Sequence, residues 1–397
     1  MSYIVYAKRT AMGKLGGILA GVRVDDMLAY LLTDLKKYIT FDPSEIDDVI
    51  IGCANQAGED NRNLARMSTL LAGFPYDVPG ATVNRLCGSS LEALFDAHAK
   101  IISGLCDCIA VGGAESMSRA PYVLSKPEGP YDRNQKMVDS TFGWRFENNK
   151  MKDLFPLLGM GQTAEEIQMK HQISRIDQDQ FAYSSHQKAI QAYRQNLFKD
   201  EILPLTVASK KDFISIDKDE CPREDTTLEK LAKLPTVFKK DGTVTAGNSS
   251  PMNDGASLVL LVSESFLKKH KLIPMMKITG AAARGIHPNI MGLGPVEAVK
   301  RLCQKTHKTV NQFDVIELNE AFAVQVLGCI KELHLDKNKI NIHGGAIALG
   351  HPLGCSGTRI TTTLAHIMKR NPHHKLGLAA MCVGVGQGIA VSFENCS

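Results

Sequence analysis

Val83-Asn84-Arg85-Leu86-Cys87-Gly88-Ser89-Ser90-Leu91-Glu92-Ala93-Leu94 reads as a strand end, a glycine turn and a helix start. Leu91, Leu94, Phe95, His98 and Ile102 follow helical spacing, so the helix begins just after Cys87. Ser89 followed by Glu92 offers a capping box. The same strand–turn–helix pattern recurs around His351 to Ile360. Two more segments recur in the same order. Asp48-Val49-Ile50 returns as Asp314-Val315-Ile316, and the glycine-punctuated strand Ile109 to Gly113 has a counterpart across Ala379 to Gly386. We read this as a duplication. A helix over Arg23 to Tyr38, followed by a buried strand over Ile46 to Gly52, gives the alternation of an α/β fold with covered sheets.

Moving outward, 397 residues are too many for one ordinary domain of roughly 100–200 residues, so two or three lobes are expected. The divisions are residues 1–119 for the first half, completed by about 251–273, then an excursion over 120–250, then a second half over 274–397. The excursion holds a helix expected over Thr163 to Asn196, and proline-marked loops at Pro121, Pro127 and Pro130. Between Lys199 and Lys240 it carries nine positive and nine negative side chains, the pattern of a solvated surface. A structureless excursion of that length does not fit a compact enzyme, so a covering lobe is expected.

Composition narrows the function. Hydrophobic residues make up 44% and charged residues 22%, with a net charge of +4 and no long basic block. This excludes a nucleic-acid tail as the organising feature and suits a small anionic substrate. Ten cysteines in so long a chain are not disulfide-scaffold density. The first strand starts close to Met1, no apolar run approaches the ~18 residues of a membrane span, and Asn395-Cys396-Ser397 is not a peroxisomal address. The expectation is a reduced, soluble, cytoplasmic protein. Cys106 and Cys108 form the tightest cysteine pair, with no second pair at zinc spacing, so no metal is expected.

Four segments can carry chemistry. Cys87 sits at the positive end of a helix, where a thiolate is stabilised and the thiol pKa falls below its free value; the competing reading is a small residue at a tight turn. His343-Gly-Gly-Ala-Ile-Ala-Leu-Gly-His351-Pro-Leu-Gly-Cys-Ser-Gly357 places His351 among glycines, able to exchange a proton with Cys87, whereas the Walker Gly-Lys-Ser/Thr is absent. In Met381-Cys382-Val-Gly384-Val-Gly386-Gln-Gly388 a cysteine at a strand end precedes backbone N–H groups suited to an oxyanion hole. Glu317-Leu-Asn319-Glu320-Ala-Phe-Ala323 ends a short strand with adjacent Asn and Glu, which either hold a water and orient a base or cap a helix.

Taken together, Cys87-Gly-Ser-Ser, Asn319-Glu-Ala-Phe322, Gly350-His-Pro352 and Cys382-Val-Gly-Val-Gly386 resemble the thiolase family, in family order and from about Ile4 to Phe393. Val83 to Ser90 and Gly350 to Gly357 look most like degradative 3-ketoacyl-CoA thiolases of fatty acid β-oxidation. Gly52-Cys-Ala-Asn-Gln-Ala-Gly-Glu-Asp-Asn-Arg62 is similar instead to thiolases acting on 3-oxoadipyl-CoA. The resemblance implies two duplicated mixed-sheet halves in five α-β-α-β-α layers under a loop domain. It implies Cys87 as nucleophile, His351 as its base, and Cys382 as the group exchanging a proton with acetyl-CoA. Asn319 (through a water) with His351 would form one oxyanion hole, and the N–H groups of Cys87 and Gly384 the other. Arg223 and Ser250 match contacts to CoA, which with acyl-CoA is a substrate; no permanently bound cofactor is expected.

The resemblance also implies a homodimer or homotetramer, and the degradative bacterial type pairs with a hydratase/dehydrogenase subunit. Gly159 stands where acetoacetyl-CoA-specific members often carry His, which leaves space for longer chains. His343 stands where many members have Asn. The expected activity is thiolytic cleavage of 3-ketoacyl-CoA in fatty acid β-oxidation. Its alternatives are acetoacetyl-CoA formation, 3-oxoadipyl-CoA cleavage, and an inactive CoA-binding scaffold. A condensing enzyme of fatty acid synthesis is disfavoured by Cys382 and by Asn319-Glu320.

Overall fold

The repeated segments occupy equivalent places in two halves of one sheet. The first half runs β1 (Ser2–Arg9), α1 (Val24–Tyr38), β2 (Asp48–Gly52), α2 (Leu64–Leu71), β3 (Gly80–Val83), α3 (Ser89–Ile102) and β4 (Cys108–Ser116). An excursion containing α4 (Met160–His171) and α5 (Arg175–Arg194) follows, and β5 (Asn253–Ser263) rejoins that half. The second half comprises β6 (Met276–Gly285), α6 (Gly294–Thr306), β7 (Val315–Leu318), α7 (Ala323–Leu333), α8 (Ser356–Arg370), β8 (Leu376–Val383) and β9 (Gln387–Asn395). The computed structural model describes residues 1–208 and 212–397.

Strand order across the main sheet is β7-β8-β9-β6-β1-β5-β4-β2-β3. In the first half β2 runs parallel to β3 and β4, and β5 is antiparallel to β4 and β1. The second half repeats this: β7 is parallel to β8, and β9 is antiparallel to β8 and β6. The halves join along a short ladder in which Ser2, Tyr3 and Ile4 pair with Ile278, Lys277 and Met276. Thus Asp48-Val49-Ile50 and Val315-Ile316 lie on β2 and β7, while Cys87 and His351 precede α3 and α8.

The layers follow from which helix faces are apolar. β4 and β5 are buried along their whole length because both faces are covered, which explains their near-continuous apolar sequence. On the outside of the first half α1 packs on β4 and β5, its Leu28 and Leu32 sharing one apolar core with Val49 and Ile51 of β2. Outside the second, Val299 of α6 and Val324 of α7 pack on Leu318 and Leu378. Between the halves, Leu91 and Ala97 of α3 meet Leu364 and Ile367 of α8 in one core. The result is five layers with α3 and α8 in the middle. Both helices therefore start deep inside the molecule, where their preceding turns face each other's half.

Three expectations change. Glu92 does not close a capping box; Gly88 is the N-cap of α3, and Glu92 pairs with Arg85 at 2.6 Å. The Ser89 hydroxyl instead accepts from Arg85 N and donates to Leu86 O, tying the turn together. The helix expected over Thr163 to Asn196 is two helices. Gln172 adopts the left-handed region (φ 52°) and Ser174 caps α5 by accepting from Asp177 N. The mixed-charge run is only partly solvated. Its Glu201 and Asp219 are buried on Arg9 of β1, at 2.7 and 2.6 Å, and Tyr193 donates to Asp219. This network fastens the excursion to the sheet. Lys210 and Lys211 of that run lie outside the described residues. Among those described, no helix is long and apolar enough to cross a membrane.

Candidate active site

Two strained turns face one another. Leu86, immediately before Cys87, has φ 46°; Val385, between Gly384 and Gly386, has φ 61°. Non-glycine residues rarely take these values, least of all a β-branched one, and such strain is held only where the surroundings enforce it. Both residues line a pocket of about 340 Å³ with Cys87 and Gly384. The backbone N–H groups of Gly384 and of Cys87 itself lie close enough to the Cys87 sulfur to favour its thiolate. A Cβ on Gly384 would sit 3.2 Å from Leu86 Cδ1, so this approach leaves little room for a side chain.

A second pocket of about 500 Å³ opens on the other side of Cys87 and brings in His351, Cys382, Ser250 and Arg223. Arg223, Ser249 and Pro251 continue into a third, more polar pocket that adds Lys14, His186 and Lys230. Cys87 therefore stands at the junction of two arms, one ending at a group of basic side chains. Arg223 is exposed at that end, its N–H donating to His186 Nδ1 at 3.2 Å; Ser250 is held by its N–H on Ala321 O at 2.9 Å.

His351 is buried and its surroundings are specific. Its Nδ1 lies 2.6 Å from Ser356 Oγ, and that hydroxyl donates to Pro352 O at 2.8 Å. With the single hydroxyl proton spent on Pro352, Nδ1 carries the ring proton and Nε2 keeps a lone pair. His351 N–H donates to Asn253 Oδ1, while Asn253 Nδ2 donates to Gly13 O. The Asn319 amide nitrogen lies 3.5 Å from both ring nitrogens, and its buried Oδ1 has no protein partner among the described residues.

Electrostatics correct one expectation. The Cys87 thiol is not lowered: burial pushes it up to about 11, outweighing the opposite pull of the nearby Gly384 and Cys87 N–H groups. Burial, with Arg359 beside it, pushes His351 down to about 3. Cys382 is raised well above the usual thiol range by burial and then by Cys87. At rest the site therefore holds two thiols and a neutral imidazole. Charge separation is disfavoured until a substrate supplies donors and acceptors.

Sequence reasoning missed several positioning groups. Glu115, at the end of β4, accepts from Ala54 N, Asn55 N and Gly354 N at 2.8–3.0 Å, joining walls from both halves. Asn253 and Ser356 fix His351, as described above. Glu320 orients no base; its carboxylate accepts from Ser185, Asn341 and Ile347 N, clamping the glycine-rich segment to α5. Gly159 caps α4 away from the pocket, whose wall there is Met160. His343 is buried edge-on to Phe198. Ser356 had a local signal, five residues after His351 in the glycine-rich motif, whereas Asn253 reaches His351 and Glu115 reaches Gly354 across long sequence separations.

Comparison with known proteins agrees with this architecture. The family model for the thiolase N-terminal domain matches residues 2–265, and that for the C-terminal domain matches residues 272–395. The chain belongs to the thiolase family. It is 49% identical over 398 residues to a beta-ketoadipyl-CoA thiolase of Acinetobacter baylyi, covering 99% of both chains. It is also 46% identical to a 3-oxoadipyl-CoA/3-oxo-5,6-dehydrosuberyl-CoA thiolase of Escherichia coli K12, again covering 99% of both. The crystal structure of human mitochondrial 3-ketoacyl-CoA thiolase superposes with a TM-score of 0.93 at 38% identity, covering 99% of this chain and 98% of that one. The protein is a thiolase-type acyltransferase.

Proposed function

We propose that this enzyme cleaves 3-oxoadipyl-CoA with CoA, giving acetyl-CoA and succinyl-CoA through an acyl-cysteine on Cys87. The observation that carries the chemistry is the convergence of Cys87, His351 and Cys382 on one pocket continuous with a polar groove that holds Lys14, Arg223 and Lys230. The choice of substrate is supported by relatives at 46–49% identity that carry that activity in their names. Fatty acid β-oxidation, the first expectation, has no such specific support.

The steps follow from the resting protonation. His351 Nε2 takes the Cys87 proton as the sulfur attacks the 3-ketone; the developing oxyanion lies against the N–H groups of Cys87 and Gly384. The C2–C3 bond breaks, and the electron pair passes to the acetyl-CoA enolate, whose oxygen is held by His351 and an Asn319-bound water. Cys382 gives its proton to C2. A raised thiol suits that task, since it is protonated before the step and its neighbour Cys87 is by then uncharged as a thioester. Free CoA then loses its proton to the Cys382 thiolate and attacks the acyl-cysteine. Cys87 leaves and is reprotonated by His351. Covalent capture divides one hard transfer into two, and each lost oxyanion donor costs about 3 kcal/mol. Arg223, with Lys14 and Lys230 nearby, would meet the CoA phosphates, and Ser250 the pantetheine arm.

The test is CoA-dependent cleavage of 3-oxoadipyl-CoA, acetoacetyl-CoA and aliphatic 3-oxoacyl-CoA thioesters by the purified protein. The highest kcat/KM should fall on 3-oxoadipyl-CoA. A rate that rises with aliphatic chain length instead would return the assignment to fatty acid degradation, and no turnover of any would leave a CoA-binding scaffold.

A further inference from the structure

The arm of the site that leads away from the CoA groove is lined mostly by apolar side chains, among them Leu86, Trp144, Met160, Leu353 and Val385. Two charged groups interrupt it, Glu115 and Arg145. Glu115 is committed: three backbone N–H groups bond its carboxylate, and it is 2% exposed. Arg145 is not. One nitrogen, Nη2, donates to Ser140 O at 2.6 Å, and no carboxylate lies within 4.0 Å of its guanidinium among the described residues. The acid nearest in sequence, Glu147, pairs with Lys152 at 2.5 Å. Asp139 spends its Oδ1 on Thr141 N at 2.8 Å, and its carboxyl pKa is lowered first by its bonds to Thr141 and only last by Arg145.

The loop holding Arg145 is fixed on both sides. The Trp144 indole N–H donates to Leu158 O at 3.1 Å, and Asn55 Nδ2 donates to the same Ser140 O at 3.2 Å. A half-buried guanidinium with most of its donors unspent, set in an apolar wall, is costly unless a partner arrives. Its planar fork matches a carboxylate in two-pronged geometry. An alkyl end entering this arm would desolvate Arg145 and give nothing back; an acidic end would satisfy it.

We propose that Arg145 determines specificity by binding the distal carboxylate of a 3-oxo-dicarboxylyl-CoA in the acyl arm. The inference rests on the substrate reading above and assigns it to one side chain. The carboxylate takes no part in bond changes. When C2–C3 breaks and Cys382 protonates C2, the fragment left on Cys87 is a succinyl thioester whose free acid remains on Arg145. Holding both ends fixes the thioester carbon for attack by CoA.

The experiment compares 3-oxoadipyl-CoA with 3-oxohexanoyl-CoA, which has the same chain length and a methyl end, on wild type, Arg145→Gln and Arg145→Lys. Wild type should prefer the dicarboxylate. Arg145→Gln should lose roughly 10- to 100-fold in kcat/KM on 3-oxoadipyl-CoA, seen largely in KM, and stay within roughly threefold on 3-oxohexanoyl-CoA. Arg145→Lys, which keeps the charge, should recover part of the loss. If wild type shows no preference for the dicarboxylate, the substrate reading fails. If it does, but Arg145→Gln keeps that preference, or loses both substrates equally through its Ser140 contact, the assignment of Arg145 is overturned while the substrate reading stands.

Discussion

The two halves use one plan, yet they close the same connection very differently. In the second half β8 passes to β9 through Gly384, Val385 and Gly386; in the first, the equivalent link from β4 to β5 spans residues 117–252. The short link supplies a backbone N–H and a strained turn beside the nucleophile. The long one supplies Arg145, Trp144, Met160 and Arg223, the side chains around the two arms. On the function proposed above, the bond-breaking groups come from the duplicated scaffold and the groups that select the substrate come from the insertion. This difference makes the two parts separable by mutation.

The largest effect should come from the scaffold. Cys87→Ser keeps nearly the same shape but replaces a thiol with a far weaker nucleophile. Thiolysis should fall by on the order of 10⁴-fold or more while the thermal midpoint barely moves. A variant retaining even a tenth of wild-type turnover would show that the acyl group does not pass through this residue.

Much of the scaffold side was legible in the sequence because it is local. Glycine-rich turns at Cys87, His351 and Cys382 announce themselves within a few residues, and the repeated order of strand and turn exposes the duplication. Ser174-Arg-Ile-Asp177, the cap that splits the expected helix, is equally local but goes unread. What could not be read was non-local. Glu115 reaches Gly354 across the two halves, and Arg9 meets Glu201 and Asp219 far along the chain. The direction of the Cys87 shift failed for the same reason. The helix start is visible in sequence, whereas the burial that outweighs it depends on which elements pack around the turn.

The insertion's attachment gives the next effect. Arg9 is fully buried, with Glu201 and Asp219 as partners. Arg9→Met would leave two buried acids uncompensated, at a cost of about 3–5 kcal/mol. Chemical denaturation should show that loss, and proteolysis should find the 117–252 segment first. If instead the variant lost stability uniformly, with no earlier cleavage of the insertion, the network would belong to the global core rather than to the fastening.

The smallest effect is a predicted absence of change, and it tests the resting protonation directly. His351, neutral above about 3, can accept a proton throughout the working range, and Cys87 remains a thiol until about 11. Neither group of the free enzyme titrates in between. The first half-reaction, followed as kcat/KM for the 3-oxoacyl-CoA, should therefore be flat across neutral pH. It falls only on the acid side as His351 takes up a proton, and departs from the plateau on the alkaline side as Cys87 ionises. An inflection near the ordinary thiol or imidazole value would mean instead that Cys87 and His351 rest as a thiolate–imidazolium pair. In that case the strained turn at Leu86 would be stabilising a preformed ion pair, and the charge separation assigned above to substrate arrival would already be present in the free enzyme.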